Sequence, residues 1–287
     1  MNIAIFADVH GKILLCFKLC ARWEKETGRK IDLILQAGDM GIFPDKSRLD
    51  KATLRYARKD PGELGFLNDF LQFNPKTESI LYTTECNLVF VRGNHEDHEW
   101  LDTREQSADS PIVSVDVYER LYCLKTGIPY LFRSRKEVVT ILGIGRIGPP
   151  VEAVNVHKAQ YIQPHEMEKL HDLGSLSVDI LLTHDSAKDF VTFGFGMEEI
   201  RWILDTYKPC YHFFGHVGGP PYKRMDSNGV TTTCKLSDLK WENEKQGKVL
   251  KPGSMGLLYW KNRDEHAFDI VNEPWMKEYS ASTWKYL

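Results

Sequence analysis

The chain has 287 residues, of which 42% are hydrophobic, 27% charged and 11% aromatic, a composition that excludes collagenous, coiled-coil and disordered classes and allows a substantial core. Lys and Arg number 37 against 40 Asp and Glu, a formal charge of −3, so no global field draws the protein to a polyanion and any such binding must be local. The longest apolar runs, Ile3 to Ala7, Ile31 to Leu35 and Ile180 to Leu182, fall far short of the ~18 residues of a membrane span, and the opening stretch carries no charged leader, so a cytoplasmic protein without a membrane segment is expected.

Ile3 to Ala7 reads as a buried strand that ends on Asp8-Val9-His10, placing a carboxylate and an imidazole two residues apart. Ile13 to Thr27 has apolar residues at near-helical spacing and Gly28 at its end, which predicts a β-α-β opening completed by the strand Leu33 to Gln36. That second strand ends Gly38-Asp39. Leu88 to Val91 is a third strand and ends Arg92-Gly93-Asn94-His95-Glu96. Val138 to Leu142, Ile180 to Thr183 and His212 to Phe214 follow, the last two ending His184-Asp185 and Gly215-His216. Near-continuous apolar strands alternating with mixed-charge segments predict an α/β fold with two-sided burial of the sheet. No repeat or linker divides the chain, so a single domain over 1–287 is expected, with insertions at about 40–80 (helical, charged) and 218–252 (polar), and a tail at about 262–287. The six cysteines form no CxxC pair, which fits reduced, buried thiols.

Any one of these histidines could equally be a core or loop residue bonded to backbone. Four of the ten histidines stand directly after hydrophobic strands, in register with Asp8, Asp39 and Asn94, and in open α/β sheets that is where ligands gather. Asp, Asn and His without thiolate suit Mn²⁺, Fe, Zn²⁺ or Mg²⁺. The groups are too many for one ion, and two metals about 3.5–4 Å apart are the apparatus of phosphoryl displacement. Two divalent ions, Mn first among them, are therefore expected.

The order DxH, GD, GNHE, H, GH resembles the calcineurin-like metallophosphoesterase superfamily, over about residues 1 to 260. The resemblance implies a β-sandwich of two mixed sheets flanked by helices, with helical and polar loop insertions. It also implies that Asp8 and His10 hold a first metal, Asp39 bridges, and Asn94, His184 and His216 hold a second. His95 is similar to the histidine that protonates the leaving group or stabilises the phosphate, and Arg92 and Asn94 to groups that meet the substrate. Lys251-Pro252-Gly253-Ser254 is similar to an NPGS segment of the family. The implied activity is hydrolysis of phosphate esters, monoesters or diesters, by a metal-bridging hydroxide. Two alternatives stand beside it. One is an RNA phosphodiesterase resembling lariat-debranching enzymes, acting on nucleotide or nucleic acid; the other is a non-catalytic scaffold that keeps the fold.

Two departures bear on this. The segment Gly215-His216-Val217-Gly218 has glycine where many members have the second histidine of GHxH, leaving the first metal with three protein ligands. The aspartate that orients the catalytic histidine in Ser/Thr phosphatases has no counterpart after Asp39, and Glu96, Asp97 or Asp45 could substitute. Elsewhere, Lys51, Arg55 and Arg58/Lys59 fall at helical spacing, with Lys46 and Arg48 upstream, either a solvated face paired to Asp45, Asp50 and Asp60 or a phosphate-guiding lid. Arg133 to Lys136 reads as a hairpin turn, Trp275, Tyr279, Trp284 and Tyr286 as packing aromatics, and His98, His157, His165, His171, His212 and His266 as structural or surface residues.

Overall fold

The computed structural model describes residues 1–150, 155, 158–244 and 247–287; His157 lies outside them. The chain opens β1 (Asn2–Phe6), α1 (Ile13–Thr27), β2 (Leu33–Ala37), and three short helices, α2 (Lys51–Ala57), α3 (Gly65–Asp69) and α4 (Pro75–Leu81), precede β3 (Asn87–Val91) and α5 (His98–Gln106). Next come β4 (Ile112–Ser114), β5 (Leu121–Leu124), the hairpin of β6 (Tyr130–Ser134) and β7 (Glu137–Ile144), then α6 (Pro164–His171), β8 (Ile180–Thr183), α7 (Glu198–Tyr207) and β9 (Tyr211–Phe214). The last part is strand-rich: β10 (Tyr222–Met225), β11 (Thr232–Lys235), β12 (Trp241–Glu244), β13 (Gly247–Leu250), β14 (Gly256–Trp260) and β15 (His266–Ile270).

These strands make two mixed sheets, in the orders β15-β14-β1-β2-β3-β5-β4 and β10-β11-β9-β8-β7-β6. The fold is thus a sandwich of two mixed sheets flanked by helices. Side-chain alternation along each strand explains the layering. Ile3 and Ile5 of β1, Leu33 and Leu35 of β2, and Ile180 and Leu182 of β8 meet between the sheets. Ala4 and Phe6 face outward onto α1, with Ile13, Phe17 and Cys20. Leu181 faces α6 and α7. Because both faces of the central strands are covered, they read as continuous apolar runs. Gly28, at φ 68°, ends α1 with its N–H bonded to Glu24 O at 2.9 Å, the left-handed stop expected of glycine there.

Two expectations about the insertions are corrected. The 40–80 segment is helical as expected but broken into short pieces, new ones starting at Pro61, Gly65 and Pro75, and α2 ends at Ala57 so that Arg58 and Lys59 lie beyond it. The 218–252 segment is not loop: β10 and β11 extend the second sheet, with Cys234 buried beside Phe213 of β9, and β12 and β13 form a separate ribbon. Threonines and Cys234 there carry strand propensity that the surrounding polar residues obscure. All six cysteines are buried and free. Trp275, Tyr279 and Trp284 pack into the α1 core while Tyr286 is exposed, and Arg135, at φ 55°, turns the β6–β7 hairpin.

Candidate metal centre

β1, β2 and β3 run parallel, as do β8 and β9, so their carboxyl ends deliver Asp8, Asp39, Asn94, His95, His184 and His216 to one edge of the sandwich. The turns that follow are tight. Asp8, His10, Asp39 and His216 have φ of 47°, 45°, 55° and 61°, a left-handed conformation that costs about 1–3 kcal/mol each in a non-glycine residue. Glycine stands where side chains crowd: a Cβ at Gly93 would overlap the Asp39 carboxylate, and one at Gly215 the Asp8 carboxylate.

Carboxylate oxygens of Asp8 and Asp39 and a ring nitrogen of His184 lie within 4.8 Å of one another, all three residues buried. Asp39 is approached from two sides, by His10 Nε2 at 3.8 Å from Oδ2 and by His184 Nε2 at 3.3 Å from Oδ1. Oδ1 also accepts the backbone N–H groups of Asn94 and His95, both at 2.8 Å, which fixes the carboxylate. His184 Nδ1 donates to Ala37 O at 2.9 Å and leaves Nε2 beside Asn94 Oδ1 at 3.1 Å. A backbone partner on one ring nitrogen is the usual device for aiming the other at a metal. The Asp8 carboxylate accepts the His216 N–H at 3.1 Å, and the rings of His184 and His216 are 4.9 Å apart.

Burial raises the Asp8 carboxyl to about 7, against the charge of His184 and with that of Asp39. Burial also opposes charge on Asp39 and His184, but their mutual attraction wins, holding Asp39 well below the carboxylate range and pushing His184 up to about 10. Burial lowers His10 to about 4, and with His184 lowers His216. Two buried carboxylates that share one imidazolium as compensating charge, with two further imidazoles and an amide oxygen beside them, form a donor set that fits hard or borderline divalent cations. Asp8, His10, Asp39, Asn94, His184 and His216 could hold them.

His95 Nδ1 lies 2.8 Å from Asp50 Oδ2, and Asp50 also caps α2 by accepting the N–H groups of Ala52 and Thr53. The three carboxylates weighed as partners of His95 are engaged elsewhere. Glu96 accepts the N–H groups of Met40 and Ile42, Asp97 pairs with Arg48, and Asp45 caps a short turn at Ser47. Burial would lower the His95 pKa, but Asp50 and Asp39 raise it to about 9. Arg92 is not among the residues that line the cavity over the centre: it is 1% exposed and held by Asp102, Glu105 and the His98 carbonyl.

An open cavity of about 320 Å³ covers the centre, lined by Asp8, His10, Asp39, Asn94, His95 and His216. Tyr56, Gly218, Asp238 and Lys240 complete its rim. No sequence motif marks Tyr56, Asp238, Lys240 or Asp50 for this site, nor Glu63, whose Oε2 is 4.0 Å from His10 Nδ1. None lies in a strand-end motif; each is carried in by an insertion. The Lys251 to Ser254 turn supports this rim, with Ser254 Oγ donating to Asp238 O at 3.3 Å. Asp45, Asp50 and Asp60 do not pair with the basic residues of α2, since Asp60 is bound to Lys12 at 3.2 Å. Arg48 is the exception among the basic residues, bridged to Asp97 and Glu99.

Residues 1–220 match the profile of the calcineurin-like phosphoesterases. A lariat debranching enzyme of Entamoeba histolytica is 25% identical over 251 residues, 75% of this chain and 63% of its own length, so the chain spans less than two thirds of that relative. One solved structure, 12% identical, covers 94% of this chain and 99% of itself with a TM-score of 0.50, a likeness of fold alone. A Thermus thermophilus protein is 15% identical over 83% of this chain and 89% of its own, with a TM-score of 0.49. Among the described residues no helix is long and apolar enough to cross a membrane.

Proposed function

This chain belongs to the calcineurin-like phosphoesterase family, and from that premise we propose that it is a metal-dependent hydrolase of phosphate esters with two divalent ions, Mn²⁺ first among the candidates. The observation that carries the reading is the approach of His10 and His184 to opposite oxygens of one buried carboxylate, Asp39. Asp8, His10 and Asp39 would hold one ion, and Asp39, Asn94, His184 and His216 the other. Bound there, such ions supply Lewis-acid stabilisation of phosphate charge and lower the pKa of water.

The chain's own groups do the rest. His95 stands at the rim of the cavity with Nδ1 turned to Asp50, which leaves Nε2 to give a proton to the departing oxygen or to bind a phosphoryl oxygen. Lys240, steadied by Asp238 at 2.5 Å, offers a cation to the phosphate from the opposite rim. Asp50 holds the imidazole and does not touch substrate.

Within the class, a phosphodiester of RNA or a nucleotide is favoured over a phosphoprotein by the exposed Lys51, Arg55 and Arg58, on or just after the helix that brings Tyr56 to the cavity, and by the lariat debranching relative. The buried free thiols support a reducing, cytoplasmic setting, and the chain is read as a single domain. Titration of apoprotein with Mn²⁺ by calorimetry, with hydrolysis of phosphomonoester and phosphodiester panels, tests the reading. Two equivalents of unequal affinity, and loss of both metal and activity in Asp39→Asn, are expected. A single site, or metal binding with no ester hydrolysed, would overturn it in favour of a scaffold.

A further inference from the structure

Beside the metal centre lies a second and larger cavity, of about 440 Å³, within the ~300–1,000 Å³ of small-molecule sites. His216 and Val217 form part of its wall, and His216 also lines the cavity over the centre, so an occupant of one is a single side chain from an occupant of the other. Its apolar wall comes from Pro149, Pro150, Tyr161, Val191 and Phe195, and its polar groups from Asp185, Ser186 and Thr192.

Charge decides what fits. Among the described lining residues there is no Lys or Arg, and the sole carboxylate, Asp185, already accepts the N–H groups of Gly148 at 3.0 Å and Ser186 at 2.7 Å. Among these described residues a second phosphate would find no cation and one anion. A neutral ring finds apolar faces with hydroxyls at the edge. The loop that supplies Phe195 is built, with Asp189 Oδ1 accepting the Gly194 N–H at 2.6 Å and Phe195 O accepting the Asp189 N–H at 2.8 Å. It nevertheless leaves Phe195 64% exposed, an aromatic face available for stacking. Purely hydrocarbon ligands would strand the hydroxyls of Ser186 and Thr192, whereas a heteroaromatic ring presents polar edges to them.

We propose that this cavity binds the nucleobase of the phosphoester substrate, seating an uncharged heteroaromatic ring beside His216 while the phosphate lies over the metal centre. The inference rests on the phosphoester reading and narrows its substrate to nucleotides or nucleic acid. Phe195 and Thr192 are specificity residues at its edge, outside the metal-binding set.

Equilibrium dialysis of the Mn²⁺-loaded protein with adenosine, uridine, ribose and naphthalene tests the cavity without catalysis. Adenosine or uridine should bind and ribose should not. Phe195→Ala, which removes the stacking face, and Thr192→Trp, which fills the cavity, should each weaken nucleoside binding roughly tenfold or more. Hydrolysis of the dinucleotide ApA should fall by the same factor in kcat/KM, with the ring-free diester glycerophosphoglycerol unaffected. Absence of nucleoside binding, naphthalene binding alone, or equal affinity in both variants would overturn the proposal. A protein that hydrolyses no ester yet binds adenosine through Phe195 would fail as a hydrolase while keeping its nucleobase site.

Discussion

His95 Nδ1 sits 2.8 Å from Asp50 Oδ2, a contact between the turn that follows a central strand and the N-cap of a helix, 45 positions earlier in the chain. Asp50 therefore has two tasks, starting α2 and orienting the imidazole. Asn also caps helices well, so Asp50→Asn separates them. It should leave metal content and fold unchanged and lower turnover on esters with poor leaving groups. His95→Ala should lower that turnover by roughly 10²–10⁴-fold. The double variant should be no slower than His95→Ala, since groups acting as a unit are non-additive. Multiplicative losses, read by kinetics with elemental analysis alongside, would show that Asp50 acts elsewhere.

Gly218 stands on the rim of the cavity over the centre, and a Cβ placed there meets nothing within 4 Å. The site built on Asp8, His10 and Asp39 should consequently be the weaker of the two for metal. Gly218→His has room to add an imidazole, and calorimetry with Mn²⁺ should show tighter binding of the weaker equivalent only. An unchanged isotherm would mean that the missing histidine is not what limits that site.

Lys51 and Arg55 are exposed on α2, and Arg55 lies 4.9 Å over the ring of Tyr56, which lines the cavity. Their charge is local in a slightly acidic protein. Lys51→Glu combined with Arg55→Glu should raise KM for oligonucleotides and flatten the salt dependence of kcat/KM, with little change for a small aryl phosphate. Equal and salt-insensitive kinetics on all substrates would leave these residues as ordinary solvated surface.

His212 is fully buried, with Nε2 2.8 Å from Thr183 Oγ1. Burial lowers its pKa to about 3, against Asp226, which favours the charge, and with Arg201, which opposes it. The unfolded chain takes up a proton near pH 6.5 while the native state does not, so the stability this residue contributes falls as pH drops from 6.5 toward 3. The ring stacks on Phe214 at 5.3 Å, which makes Phe an acceptable replacement. Urea midpoints of His212→Phe should decline less than those of the parent between about pH 7.5 and pH 5. Parallel declines would place the acid sensitivity in other groups.

What could be read without coordinates was whatever a short segment decides for itself. Continuous apolar runs at Ile3, Leu33, Leu88, Ile180 and His212 mark strands because burial on both faces admits few polar residues. The residues just past them, Asp8, Asp39, Asn94, His184 and His216, share one edge because those strands run in parallel. The family resemblance added the choice of two mixed sheets, which a count of strands does not decide.

The tertiary structure decided the pairings between distant segments. Asp50 reaches His95 because the insertion folds its helix start over the strand end; proximity in sequence favoured Glu96 and Asp97, whose carboxylates are taken by the Met40 and Ile42 backbone and by Arg48. Arg92 looked like a substrate residue, yet its side chain is satisfied by Asp102 and Glu105. The cavity beside His216 draws its walls from several separate loops. Local periodicity and propensity act over a few residues, whereas hydrogen-bond partners and cavity walls depend on where the whole chain brings segments together.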